Sequence, residues 1–283
     1  MGLGYQSLNL LFGLWSDGKL KGLKNVLEIG AQDIKAPEME IDLALAALTG
    51  KGGVQTRDPK GSKSQYSPKK LYLALGFSDY QCIDADGTND AHVLDLNQDL
   101  RKQGFDGQFD LVTNFGTTEH CFDQFQAFRN IHQSCAVGGV MIHDVPFQGY
   151  LNHGLFNYQP NLFLDLARAN AYDILGIYLN IDADCGSLSP YSDALMKYIS
   201  IPSASASTMS LMVALRKTAA SEFRTPYDGK YIGASKFKVE YKFDALPKSY
   251  LPIDTKVLTD SIPAKTLARI LAERIKRKIR NYF

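Results

Sequence analysis

The stretch NVLEIGAQD, residues 25–33, decides how the rest of the chain is read. Val26, Leu27 and Ile29 form a short apolar run of the kind buried inside a parallel sheet, and Gly30 ends it in a turn. Glu28 stands just before that glycine, with Gln32 two residues after it. A phosphate would want neither a negative charge there nor a side chain at position 32. The strand therefore points to a different ligand.

Further β-type runs lie outward from this one, at residues 80–84, 92–94, 109–114 and 139–143, with a last pair at 173–180 and 209–216. Segments with helical spacing fall between the later ones, at 67–75, 122–134 and 159–170. This alternation predicts an α/β, doubly wound, Rossmann-like domain over residues 22–217. Residues 35–66 form an insertion, with a helix at 38–48 and then the glycine- and charge-rich TGKGGVQTRDPKGSKSQ. Residues 1–21 form an N-terminal helical segment, where YQSLNLLFGLW is apolar at helical spacing and is expected to cover the sheet edge or the cofactor pocket.

Residues 218–283 have a different texture and form a C-terminal extension. Its last part, PAKTLARILAERIKRKIRNYF, spaces Leu267, Ile270, Leu271, Ile275 and Ile279 along one helix face, with Lys and Arg over most of the rest. Such a basic amphipathic helix suits peripheral contact with an anionic membrane, packing on its own domain, or a homodimer.

Composition sets outer limits. With 283 residues, 45% of them hydrophobic and 22% charged, the chain can bury a full core. Lys plus Arg number 31 against 30 for Asp plus Glu, so no nucleic acid is expected as a partner. Cys82, Cys121, Cys135 and Cys185 lie far apart without any C-x-x-C pair, which favours a reducing compartment over a disulfide framework or a zinc site. No apolar run approaches the roughly 20 residues that span a bilayer, and no leader pattern opens the sequence. The expected location is cytoplasmic.

Ligands of open parallel sheets bind beyond the carboxyl ends of the strands, so the polar residues at strand tips are the candidates. Glu28, Gly30 and Gln32 follow the first strand, and CIDADG places Asp84 and Asp86 after the second. VLDLN places Asp95 and Leu96 after the third, LVTNFGTTEH supplies Asn114 and Glu119 after the fourth, and GGVMIHDVPF ends the fifth. An acid at the second tip can accept hydrogen bonds from both ribose hydroxyls. One of Asp84 and Asp86 is expected to serve turn chemistry before Gly87 instead.

A nicotinamide dinucleotide needs G-x-G-x-x-G so that backbone amides can hold its pyrophosphate. Only Gly30 stands in that register, because Gln32 and Lys35 occupy the other glycine positions. S-adenosylmethionine has no phosphate and carries two positive charges, so carboxylates near it are an asset. The ordered set, an E-x-G turn followed by acids ending strands two and three and a polar strand four, resembles the class I S-adenosylmethionine-dependent methyltransferases. That resemblance implies a mostly parallel seven-stranded sheet with an antiparallel last strand. It also implies S-adenosylmethionine as cofactor, with Glu28 and Gly30 near its methionine end, Asp84 at the ribose, Asp95 and Leu96 around the adenine, and Asn114 beside the sulfonium. Residues 114–160 further resemble bacterial methyltransferases of surface-glycan and secondary-metabolite pathways, a likeness that does not specify the acceptor; the expected reaction is methylation of a small molecule or sugar at oxygen.

Transfer to a hydroxyl calls for a base, and histidine suits that role near neutral pH. His120, His143 and His153 follow strands four and five and are the catalytic candidates, with Glu119 as orienting partner or cofactor contact. His92 and His132 read as structural. No metal site is expected, since Asn114 stands where magnesium-dependent relatives tend to place acids. Two alternatives stay open: a nucleotide-sugar or NAD-binding Rossmann enzyme, and a non-catalytic binding protein on a methyltransferase-like core.

Overall fold

A computed structural model describes residues 2–50, 66–181, 187–191 and 208–228 of the chain. The loop at 51–65 and the basic helix expected near the carboxyl terminus lie outside the described residues. The elements in chain order are α1 (Tyr5–Ser16), β1 (Asn25–Ile29), α2 (Glu38–Thr49), α3 (Pro68–Ala74), β2 (Asp79–Asp84), β3 (His92–Val93), β4 (Phe109–Phe115), α4 (Gln124–Ser134), β5 (Cys135–Gln148), α5 (Pro160–Asn170), β6 (Tyr172–Ile181), β7 (Ser187–Pro190) and β8 (Met209–Lys217).

Local chemistry fixes several boundaries. Ser67 caps α3 by accepting from the Lys70 amide, and Pro68 sits in the first turn, where its missing N–H costs nothing. Asp123 caps α4 through the Gln126 amide at 2.9 Å. Pro160 opens α5, and Ala171 closes it in the left-handed region at φ 52°.

The strands form one sheet in the order β3-β2-β1-β4-β5-β8-β6-β7. β1 pairs in parallel with β2 on one side and β4 on the other, and β5 continues the parallel run beyond β4. β8 runs antiparallel between β5 and β6, and β7 adds a short antiparallel edge beyond β6. The sheet thus has one strand more than the seven expected. The alternation of β1 sends Leu27 and Ile29 to one face and Val26 to the other, and each face has its own core. α4 and α5 cover the first through Phe128, Ile131, Phe163 and Leu166. α1, α2 and α3 cover the second through Phe12, Ile41 and Tyr72.

α1 lies on this second face, packed in one core with Leu111 of β4, Ile142 of β5 and Met212 of β8, so it does not cap the sheet edge. Its Leu8, Leu10, Leu11 and Phe12 are fully buried, each contributing about 1.5–3 kcal/mol of apolar burial. Ser7 adds a buried hydrogen bond of 2.7 Å to Asp144 of β5. Ahead of α1, Leu3 bridges to Ile34, so the chain after the β1 turn is held extended against the amino-terminal segment. The first residues of the C-terminal extension are tied to the first face. The Arg224 amide donates to Asn170 at 2.7 Å, and Asn170 returns a bond to the Arg224 carbonyl at 2.9 Å. Among the described residues no helix is long and apolar enough to cross a membrane.

Candidate active site

The strand order reverses at β1, whose parallel neighbours lie on opposite sides, and the chain beyond its tip is built around Gly30. Gly30 sits at φ +83°, a conformation that side-chain-bearing residues rarely adopt. Its amide donates to the Ile83 carbonyl at 2.7 Å, fastening the turn to β2. A Cβ at this position would stand 2.0 Å from Thr117 Oγ1, the hydroxyl that donates to the Ile29 carbonyl at 2.8 Å. The next amide, Ala31 N–H, donates to Asp84 Oδ2 at 2.7 Å. Three strand ends are thus locked together.

Above them opens a cavity of about 620 Å³, a size suited to a nucleoside-containing ligand. Gly30, Gln32, Asp84, Asp95, Leu96 and His120 are among its lining residues, and Ile83, Val93 and Leu94 make an apolar wall. Asp84 keeps acceptor capacity after serving Ala31 and the Asp86 amide, since a carboxylate offers about four lone-pair sites. Asp95 is oriented by the Asn97 amide and side chain at 2.9 and 2.7 Å, contacts that hold its carboxyl below the usual range. Gln32 is buried, its amide donating to the Gly30 carbonyl.

The turn has no seat for a pyrophosphate. A dinucleotide site offers free amides at a helix start directly after β1. Here the Ala31 amide is already spent on a carboxylate, and α2 begins only at Glu38, with Glu38 and Glu40 in its first turn.

Four of the residues singled out from the sequence lie elsewhere. Asp86 is exposed and accepts from the Thr88 amide at 2.8 Å, a turn role that also lowers its pKa. Glu28 does not line the cavity but sits behind it, its carboxylate interacting with the backbone of Gln32, which does. It is fully buried on the other face beneath Tyr80, whose hydroxyl donates to it at 2.7 Å, and burial pushes its pKa up to about 8. Asn114 is fully buried too, shaping the turn after β4 by accepting from the Thr117 and Thr118 amides at 3.3 and 3.2 Å. His143 is enclosed against Phe128 and Phe163, and burial drops its pKa to about 3. Its Nδ1 lies 3.2 Å from the Asn114 amide nitrogen, which fits an acceptor role and leaves the proton on Nε2. A base for a bound acceptor must reach it, and this histidine faces the core.

The other two histidines converge with Glu119. His153 Nε2 lies 3.5 Å and His120 Nε2 3.9 Å from Glu119 Oε1. The histidines remain partly exposed, whereas the carboxylate is fully buried, and desolvation raises its pKa to about 7. Partial burial moves both imidazoles below their ordinary pKa, so they are neutral at pH 7. The loop bearing His153 is pinned by the Leu155 amide, which donates to the Glu119 carbonyl at 2.8 Å. Gly154 allows this approach, since a Cβ there would stand 2.9 Å from Glu119 Cγ.

Thr117 and Asn97 are components that the strand-tip reading left without roles. Asn97 had a local signal, the D-x-N spacing of an Asx turn. Thr117 had none, because its partner Gly30 lies far away in sequence.

The parallel run β3-β2-β1-β4-β5, the reversed β8 inserted before β6, and a cavity over the β1, β2 and β4 tips decide the architecture. The chain has the class I methyltransferase fold. No protein-family model and no curated protein matches the sequence. Among solved structures, an O-methyltransferase from a trans-AT PKS multienzyme of Brevibacillus brevis, in complex with S-adenosyl-L-homocysteine, is similar at 12% identity. That alignment covers 74% of this chain and 72% of that one with a TM-score of 0.40. The Burkholderia thailandensis 1,6-didemethyltoxoflavin-N1-methyltransferase is similar at 14% identity over 75% and 78% of the two chains, with a TM-score of 0.37. The cyclase SpnF is similar at 14% identity over 78% and 88%, again with a TM-score of 0.37. Overlaps this shallow carry no chemistry across, which therefore rests on the side chains of this chain.

Proposed function

We propose that the chain is an S-adenosylmethionine-dependent methyltransferase acting at oxygen on a small molecule or sugar. The supporting observation is the β1 turn, whose Ala31 amide is committed to Asp84 and which leads into extended chain instead of a helix. Such a cavity favours hydroxyls and cations over a pyrophosphate.

In this reading Asp84 accepts from the ribose hydroxyls, while Leu96 and the apolar wall flank the purine with Asp95 at its exocyclic amine. Gly30, Gln32 and Thr117 border the amino-acid end. The bound cofactor supplies an electrophilic methyl group on a sulfonium. Most of the acceleration then comes from holding the acceptor in line with it, which is work for the cavity walls. Proton removal from the acceptor hydroxyl belongs to the Glu119, His120 and His153 cluster, which lies next to the cavity through His120. Phe122, Leu151 and Leu155 are exposed around this end and suit an acceptor with an apolar portion.

Thermal melting with S-adenosylhomocysteine, S-adenosylmethionine, NAD and a nucleotide sugar tests this reading. A ligand at a hundredfold its dissociation constant adds about 2.7 kcal/mol. The expected result is stabilisation by the first two ligands alone. Stabilisation by NAD or the nucleotide sugar instead overturns it, and methyl transfer to hydroxylated acceptors then separates an enzyme from a binding protein.

A further inference from the structure

Among the described residues, one group of His, Cys, Asp and Glu side chains converges closely enough to hold an ion: Glu119, His120 and His153, whose ligand atoms all lie within 4.8 Å of one another. We propose that this cluster is a binding site for a divalent first-row metal ion, with Glu119 Oε1, His120 Nε2 and His153 Nε2 as ligands.

The carboxylate is the reason for choosing an ion over a plain hydrogen-bond cluster. Glu119 is fully buried, and among the described residues neither of its oxygens has a hydrogen-bond partner. A buried carboxylate in that condition costs several kcal/mol unless a cation or donor completes it. The side chains nearest to it that could do so are two imidazoles, too far for good hydrogen bonds at 3.5 and 3.9 Å. Those separations are close to the spacing of ligands around a common centre. With metal–ligand bonds of about 2.0–2.1 Å, tetrahedral ligands stand about 3.3 Å apart, so closing the site takes movements of up to about 1.5 Å from the present 4.8 Å limit, which rotation of the two partly exposed rings can supply.

The donor set selects the metal class. Two imidazoles and one carboxylate suit zinc, cobalt or ferrous iron, whereas magnesium and calcium take oxygen ligands. Three protein ligands leave an open position, and because His120 lines the cavity that position adjoins the ligand space. An acceptor hydroxyl bound there would be acidified by the ion and lose its proton to solvent, so with the ion in place this acidification replaces the base role of the metal-free cluster, whose Nε2 lone pairs are then committed to the metal. This role rests on the methyltransferase reading, while the binding itself does not.

The experiment uses the full chain, treated with chelator and free of nucleoside. Titration with Co²⁺ is followed by visible absorption, and Zn²⁺ is then added as competitor. The expected result is saturable binding of one equivalent, displaced by Zn²⁺, and weakened at least about tenfold in both Glu119→Gln and His153→Ala. His153 is partly exposed, so its variant keeps the test informative even if the buried carboxylate proves necessary for folding; circular dichroism checks both. Absence of saturable binding overturns the proposal, as does binding that His153→Ala leaves unchanged. Loss of S-adenosylhomocysteine affinity in Glu119→Gln, with no Co²⁺ bound by the parent chain, assigns the carboxylate to an ammonium group and likewise overturns it. Failure of the methyltransferase reading would leave the Co²⁺ titration untouched.

Discussion

Replacing Gly30 with alanine strains the turn on which the candidate site is built, and the size of the effect follows from three terms. A side-chain-bearing residue at φ +83° costs about 1 kcal/mol relative to glycine. The new Cβ falls 2.0 Å from Thr117 Oγ1 and 2.9 Å from its Cγ2, so Thr117 must move and give up its 2.8 Å bond to the Ile29 carbonyl, worth about 1 kcal/mol. Overpacking adds a further 1–3 kcal/mol or so. The sum is about 3–5 kcal/mol, which lowers the melting temperature by at least about 6 °C for a domain of this size. Thr117→Ala alone should cost about 1 kcal/mol. Because it removes both of the closest atoms, leaving Thr117 Cβ at 3.0 Å, the double variant should be more stable than additivity predicts by about 2 kcal/mol. Chemical denaturation of the four chains gives the coupling directly. Strict additivity, or a cost below 1 kcal/mol for Gly30→Ala, would refute the claim that close packing on Thr117 is why this turn carries glycine.

Two buried groups make pH predictions of opposite sign. His143 has its pKa depressed from 6.5 to about 3, so the unfolded chain binds the extra proton and stability falls as pH drops from about 6.5 towards 3. His143→Gln keeps a neutral acceptor for Asn114 and should flatten that acid limb while leaving S-adenosylhomocysteine binding intact; an unchanged limb would contradict the burial argument. Glu28 has its pKa raised from 4.5 to about 8, so the folded chain holds the proton and stability is lost as pH rises through that interval. Glu28→Gln removes the ionisation cost, on the order of 5 kcal/mol at full effect, and should stabilise the chain above pH 8 with little change below pH 4.5. Melting curves across pH check both. Ser7→Ala, which removes the 2.7 Å hydrogen bond to buried Asp144, should cost about 1–3 kcal/mol, and a neutral effect would show that this bond adds nothing to the docking of α1.

Much of this architecture was legible in the chain, and the exceptions have physical causes. The run at 25–29 matches β1 because a buried parallel strand bounded by glycine has a strong local signature. β5 begins at Cys135, earlier than the glycines at 138 and 139 suggested, because α4 passes into it without a loop. β7 spans only Ser187–Pro190 and carries no apolar alternation that would announce a strand. The placements of Glu28 and His143 were written in strand parity. Glu28 shares a face with Val26, and His143 shares one with Met141 and Val145, so a period of two already buries both. Strand-tip logic passes over parity, and that explains why it placed both at the cavity itself. The meetings of Gly30 with Thr117 and of Glu119 with His153 depend on loops closing over long sequence separations, which no local pattern encodes.

In the proposed function the acids at the β2 and β3 tips line a seat for an adenosyl nucleoside without phosphate. Calorimetric titration of the full chain with S-adenosylhomocysteine, alongside Asp84→Ala and NAD, tests it most directly. Saturable binding of S-adenosylhomocysteine is expected, weakened at least about tenfold in Asp84→Ala by the loss of two charge-assisted hydrogen bonds, with no measurable heat from NAD. Tight NAD binding, or S-adenosylhomocysteine binding indifferent to Asp84, would contradict it.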